Sequence, residues 1–192
     1  MHNDLASYLN SKVPGCEASA SIAEVGDSSV FINPSHILAV CTELKTGDYE
    51  MNVLQVVSGC DYSDRIEITY VLASFIKNSE LLLKVKLPKE NKDSVPSIVS
   101  VCSLWKGANF LERETYDMLG VTFNNHPDHR RILCPDDWEG YPLRKDYEVQ
   151  KTYQGMEVDP EHKINNSDIN FHRELLAKAE DPKKVSFSWK TE

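Results

Sequence analysis

The chain has 192 residues, with 21 lysines and arginines against 30 aspartates and glutamates, a formal net charge of -9. Hydrophobic residues make up 41% and charged residues 27%, enough apolar material to exclude disorder of the whole chain. The acidic balance argues against bulk nucleic-acid binding, because a phosphate backbone needs a basic face.

The opening residues Met1–Tyr8 hold neither a basic stretch nor a continuous apolar run. Nowhere does an apolar run approach the roughly 20 residues that a membrane-spanning helix needs. The expectation is a protein that meets a membrane through a partner or a surface. Cys16, Cys41, Cys60, Cys102 and Cys134 are odd in number and form no CxxC pair. That suits reduced thiols in a cytoplasmic protein rather than a disulfide framework or a cysteine-bound cluster. Any redox cofactor is expected on another chain.

In chain order, Asn3–Leu9 reads as a short opening helix. Val30–Ile32 reads as the end of a strand, and Asn33-Pro34-Ser35 starts a helix over His36–Leu44 with Ile37, Val40, Cys41 and Leu44 on one face. Thr46-Gly47-Asp48 closes it. Three strands are expected at Met51–Gly59, Arg65–Phe75 and Leu81–Leu87, joined by polar turns at Asp61–Asp64 and Lys77–Ser79. Ser97–Leu104 fits strand or helix. Gly107–Leu119 reads as a helix with Ala108, Leu111, Thr115 and Met118 or Leu119 along one face and Gly120 as its stop.

Composition changes near residue 123. Val, Ile, Leu and Met account for 36 of residues 1–123 but only 11 of the 69 that follow, and Pro127, Pro135, Pro142, Pro160 and Pro182 also fall there. A stretch so poor in aliphatics builds no core of its own. Its aromatic residues Trp138, Tyr141, Tyr147, Tyr153, Phe171, Phe187 and Trp189 suit wrapping around something else. The expected fold is therefore α/β of the α+β kind: a mixed or antiparallel sheet with helices packed on it over residues 1–123, then an extended C-terminal docking tail over 124–192. A chain cut after Phe123 is expected to keep the α/β fold.

Ala108–Tyr147 carries the densest chemistry. Arg113 and Asp117 stand at i and i+4, a spacing that allows an ion pair, while Glu112 and Glu114 point about 200° apart and cannot act as a paired acid and base. By themselves these four residues read as a solvated charged helix face. In His126-Pro127-Asp128-His129-Arg130-Arg131, two histidines flank an aspartate, so a hydrolase using His126, Asp128 and His129 around a metal is one alternative. Pro127 and the want of a third spaced ligand weigh against it. Pro142-Leu143-Arg144-Lys145-Asp146-Tyr147 is a basic knot that would otherwise read as a surface turn. Arg130, Arg131 and Arg144 match carboxylates well, which points to a surface held by polar contacts.

The same residues resemble a known family. Glu112-Arg113-Glu114-x-Tyr116-Asp117-Met118-x-Gly120-Val121-x-Phe123, then His126-Pro127-Asp128, Arg130-Arg131-Ile132-Leu133, and Glu139-Gly140-x-Pro142-Leu143-Arg144-Lys145-Asp146-Tyr147 are similar to the signature of the C subunit of bacterial NADH-quinone oxidoreductase, the 30-kilodalton-type subunit of respiratory complex I. The resemblance implies a cofactor-free, non-catalytic subunit of the peripheral arm, on the cytoplasmic face of the membrane, whose tail wraps the quinone-site subunit related to the NiFe-hydrogenase large subunit. It also implies peripheral-arm Fe–S subunits as neighbours and a membrane arm reached indirectly. The holoenzyme would carry FMN and Fe–S clusters and pass electrons from NADH to quinone with proton pumping. Glu112, Arg113, Glu114, Tyr116, Asp117, His126, Asp128, Arg130, Arg131, Arg144, Lys145 and Asp146 would be signature and partner-interface residues. A membrane-bound hydrogenase, or another quinone-reducing relative, would use a homologous subunit. A free-standing adaptor would leave the signature unexplained. Where the family pattern has glycine before the HPD histidine, leucine after its aspartate, tryptophan ahead of ERE and histidine before PLRKD, this chain has Asn125, His129, Phe110 and Tyr141.

Overall fold

The structure is a computed structural model that describes residues 2–24, 26–89 and 94–158. Helix α1 (His2–Lys12) presents Leu5, Ala6 and Leu9 to the core, the i, i+4 spacing that places side chains on one helix face. Strands β1 (Ser19–Ser21) and β2 (Ser29–Ile32) follow, then a 3-10 turn at Pro34–His36 whose first amides are met by the Asn33 side chain accepting from Ser35 N–H at 3.1 Å. Helix α2 (Ile37–Thr46) buries Ile37, Val40, Cys41 and Leu44, the face expected from the sequence.

Strands β3 (Val53–Asp61), β4 (Arg65–Ser74) and β5 (Ser79–Pro88) form an antiparallel meander. The five-stranded sheet runs β1-β2-β5-β4-β3, with β2 parallel to β5 and every other pairing antiparallel, so it is mixed. Alternation decides its buried face. On β5, Leu81, Leu83, Val85 and Leu87 are buried, and on β4 their register partners Leu72, Tyr70, Ile68 and Ile66 are buried with them. These side chains form one core with α1 and α2.

Strand β6 (Ser97–Val99), helix α3 (Ala108–Leu119) and strand β7 (Thr122–Asn124) make a small βαβ unit, with Ser97, Ile98 and Val99 opposite Thr122, Phe123 and Asn124 in parallel register. The ambiguous Ser97–Leu104 stretch is thus strand followed by turn. Helix α3 ends where expected: Gly120 adopts φ +69°, a left-handed stop open to glycine without a Cβ penalty. It packs closely on β3 because Gly59 has no side chain, a Cβ there falling 2.2 Å from Leu119 Cδ1.

The compact unit extends from Met1 to Glu148, so residues 124–148 are part of it. Val149–Glu192 form a second unit, in which β8 (Thr152–Tyr153) and β9 (Met156–Glu157) pair as a small hairpin. The expected anchors Phe171, Phe187 and Trp189, with Pro160 and Pro182, lie outside the described residues.

Candidate functional site

Charged residues normally lie outside a helix packed on a core. On α3 the reverse holds: Glu112, Arg113 and Asp117 are all buried, and only Glu114 of the signature charges on this helix is exposed. The expected solvated face is therefore corrected. The reason is the chain packed against each charge: residues 100–102 supply the polar partners that burial of Glu112 demands, and residues 125–148 supply those of Arg113 and Asp117.

Glu112 faces the start of the βαβ unit. Its carboxylate accepts from Ser100 Oγ–H at 2.6 Å, from Val101 N–H at 2.8 Å and from the Cys102 thiol at 3.3 Å. Burial raises its pKa, and the three donors only partly offset that. Burial likewise pushes the Cys102 thiol up to about 11, so it is a donor rather than a nucleophile.

Asp117 is the other fixed point. One carboxylate oxygen takes three successive amides, from Ile132 at 3.1 Å, Leu133 at 2.6 Å and Cys134 at 2.8 Å, and the other takes Arg131 Nη1 at 2.7 Å. Burial alone would raise this carboxyl. The amides and the guanidinium outweigh it and hold the pKa below the usual carboxylate value. Arg131 also donates to the carbonyls of Trp138 and Gly140, at 3.1 and 3.0 Å, so one arginine organises the loop from both ends.

The sequence spacing suggested an Arg113–Asp117 ion pair, and the structure does not form it. Arg113 instead donates to the carbonyls of Arg130 and Arg131 at 3.1 and 3.3 Å and stands 3.5 Å from Asp128. A guanidinium has five donors, and one carboxylate i+4 away satisfies at most two, whereas the covering loop offers several acceptors. Asp128 also pairs with the exposed Arg130 at 3.0 Å.

Both histidines act as acceptors of backbone amides. His126 Nδ1 takes Asp128 N–H at 3.0 Å and His129 Nε2 takes Phe123 N–H at 3.0 Å, while the His129 ring lies 4.1 Å from that of Tyr116. With Nδ1 accepting, the proton of neutral His126 sits on Nε2, 3.2 Å from the Asn109 carbonyl. Among the described residues, Cys102, Glu112 and His126 bring three ligand atoms within 4.8 Å of one another. A metal there would need the Nε2 lone pair that this tautomer lacks. His126, Asp128 and His129 do not converge on a shared centre either, since each is committed to holding its own turn.

Arg144, 7% exposed, caps the far end of α3, where helix carbonyls lack partners. Its Nε donates to Leu119 O at 2.7 Å and its Nη2 to Ser94 O at 2.9 Å and Gly120 O at 3.3 Å. Next to it, Lys145 N–H reaches the Asp61 carboxylate at 2.9 Å, with the Lys145 side chain outside. Lys89 lies between Asp61 at 3.0 Å and Asp146 at 3.1 Å. Sequence reasoning missed Asp61, Lys89, Ser100 and Cys102. Two of these sit in hairpin or strand-end positions where a single charge reads as ordinary solvent chemistry.

Compared with known proteins, residues 30–153 match the profile of the respiratory-chain NADH dehydrogenase 30 Kd subunit family. The chain belongs to this family. It is 44% identical over 125 residues to the NADH-quinone oxidoreductase C subunit of Roseiflexus sp. (strain RS-1), covering 63% of this chain and 70% of that protein. Against the C subunit of Chloroherpeton thalassium it is 49% identical over 104 residues, 53% of this chain and 42% of the other. Against that of Geobacter metallireducens it is 40% identical over 140 residues, 69% and 83%. Two solved structures share the fold: a trypsin-resistant fragment (1-134) of Nqo5, with TM-score 0.53, 24% identity and coverage of 65% of this chain and 98% of that one, and a chain of the membrane-bound sulfane sulfur reductase, an archaeal respiratory membrane complex, with TM-score 0.64, 19% identity and coverage of 85% and 97%. Among the described residues no helix is long and apolar enough to cross a membrane.

Three of the positions at which this chain differs from the signature expected from the resemblance have settings the structure describes. Asn125, in place of the glycine, adopts φ +64°, the left-handed conformation that asparagine tolerates best after glycine. His129, in place of leucine, adds the acceptor for Phe123 N–H. Tyr141, in place of histidine, packs against Gly120, where a Cβ would fall 2.4 Å from the ring.

Proposed function

We propose that this member of the 30 Kd subunit family is a docking subunit in the peripheral arm of a proton-pumping NADH:quinone oxidoreductase. In this reading it holds no cofactor, has no catalytic centre of its own, and sits on the cytoplasmic face of the membrane. FMN and Fe–S clusters on other subunits carry electrons from NADH to quinone. Residues 124–192 act as the docking segment: 124–148 are fastened to α3, and the chain beyond them reaches the quinone-site subunit related to the NiFe-hydrogenase large subunit. Fe–S subunits of the peripheral arm are its other neighbours, and contact with the membrane arm is indirect.

One observation carries the proposal: the family signature is spent on scaffolding. Glu112, Arg113, Asp117 and Arg144 bond to backbone and side chains of this chain: Glu112 fixes residues 100–102, Arg113 and Asp117 fix residues 130–134, and Arg144 caps the end of α3. Residues so committed serve to present a surface rather than to turn over a substrate.

The test is affinity purification of the tagged chain from gently solubilised membranes of its own host. NADH:quinone reductase activity, flavin, iron and nickel are then assayed on the eluate. An assembly rich in flavin and iron with NADH-driven quinone reduction supports the reading. A nickel-rich assembly would move the chain to a hydrogenase-type complex. A lone chain without partners would overturn the docking function.

A further inference from the structure

The five-stranded sheet has two open edges, and they differ. β1 is three residues long, too short to template another chain. β3 is nine residues long and pairs with β4 alone. Every second residue of such a strand turns its N–H and C=O away from its partner. Among the described residues nothing bonds to the main chain of residues 53–60 from that far side. Residues 53–60 read Val-Leu-Gln-Val-Val-Ser-Gly-Cys, with no charge and no proline to blunt the edge. A bulge between Leu54 and Val56 interrupts it at one end; from Val56, opposite Val71, to Asp61, opposite Ile66, the register runs without a break. Gln55, Val56, Ser58 and Cys60 are exposed.

The helix side of this edge is shaped as well. A shallow groove of about 90 Å³ lies between β3 and α3, lined by Val57 and Gly59 from the strand, Glu114, Met118 and Leu119 from the helix, and Leu143 from the covering segment. A strand laid against β3 points alternate side chains to the α3 side, where the groove has room for a small apolar one. Along such an edge the main-chain bonds supply affinity and the side-chain groove supplies register and selectivity. Water satisfies an open edge, but a long uncharged one pairs with any extended chain it meets unless it is covered. A second copy makes a poor cover, because two chains of net charge -9 repel each other. A segment of a neighbouring subunit in the same complex meets the requirement.

We propose that β3 is completed by a sixth strand: an extended segment of a neighbouring subunit that bonds to the outward N–H and C=O groups of residues 53–60 and places an apolar side chain in the groove between β3 and α3. The proposal rests on the docking function above and adds to it a second contact, separate from the chain beyond residue 148.

Hydrogen exchange across residues 53–60, read by mass spectrometry in the free full chain and in the purified complex, tests it. In the free chain the outward amides should exchange readily while those bonded to β4 stay protected. In the complex the outward set should slow by on the order of 100-fold. A photo-crosslinking residue at Ser58 in the same complex is expected to capture a peptide of another subunit. Val56→Lys combined with Ser58→Lys, which charges two exposed edge positions, should lower retention in the complex by on the order of 10-fold or more, while the free variant melts as the unaltered chain does. Outward amides that exchange equally fast in an intact complex, or a crosslink only to a second copy or to this chain's own residues, would overturn the proposal and leave the docking function standing. A chain that enters no complex at all would overturn both.

Discussion

Asp117 shows how one side chain can decide the state of a whole segment. Four donors converge on it, three of them consecutive amides, so Asp117→Asn puts an NH2 where a charge is needed and leaves Arg131 without its carboxylate. The expected cost is about 3 kcal/mol of stability, as for other buried pairs that lose one partner, measured by urea denaturation. Faster tryptic cleavage after Arg130 and Arg131 should accompany it. Glu114→Gln, on the exposed side of the same helix, should change stability by less than about 0.5 kcal/mol. His129 adds a pH dependence. His129 accepts a backbone amide, and burial together with the neighbouring His126 lowers its pKa below the usual 6.5. The folded state therefore binds fewer protons than the unfolded one, so this contribution is complete above about pH 6.5 and is lost as the pH falls toward the lowered value. The chain should be less stable in denaturant at pH 5.5 than at pH 7.5. His129→Gln, which keeps an acceptor but does not titrate, should show a smaller loss over that interval.

At the scale of elements, the sheet and helices were readable because burial is periodic. The 2-residue alternation in β5 and the 3.6-residue spacing in α2 each follow from one face meeting one core. Gly120 was readable as a stop for a similar reason, since the helix pattern ends and a glycine stands at its end. The state of the α3 charges was not readable. A run of Glu, Arg, Glu and Asp is normally solvated; residues 100–102 meeting Glu112, and residues 125–148 folding back over Arg113 and Asp117, reverse that, and no local pattern encodes either. Arg113 and Asp117 had the spacing of partners yet bond to the backbone and side chains of that return. The opposite disposition of Glu112 and Glu114 was readable, because a 200° separation on a helix holds whatever covers it. The junction of α3 with β3 can be tested directly. A Cβ at Gly59 would clash with Leu119, so Gly59→Val should destabilise the chain by about 1–3 kcal/mol, seen as a lower thermal midpoint, whereas Ser58→Val beside it should not.

For the whole molecule, the structure changes what a truncation means. The sequence led to the expectation that a chain cut after Phe123 keeps its fold, but that cut removes the partners of Arg113 and Asp117, the Arg144 cap on α3 and one partner of Lys89. Such a chain should be unstable. A cut after Glu148 leaves every one of those contacts in place, since the compact unit runs from Met1 to Glu148. The central claim is that the buried signature builds a scaffold and the chain beyond it does the reaching. The most direct measurement is therefore made on the chain ending at Glu148: its thermal midpoint when purified alone, and its incorporation into the native complex on a blue-native gel. A melting transition close to that of the full chain, together with failure to remain in the complex, is the predicted result. A truncated chain that assembles as well as the full one would contradict the wrapping role of the C-terminal residues, and one that no longer folds would contradict the scaffold.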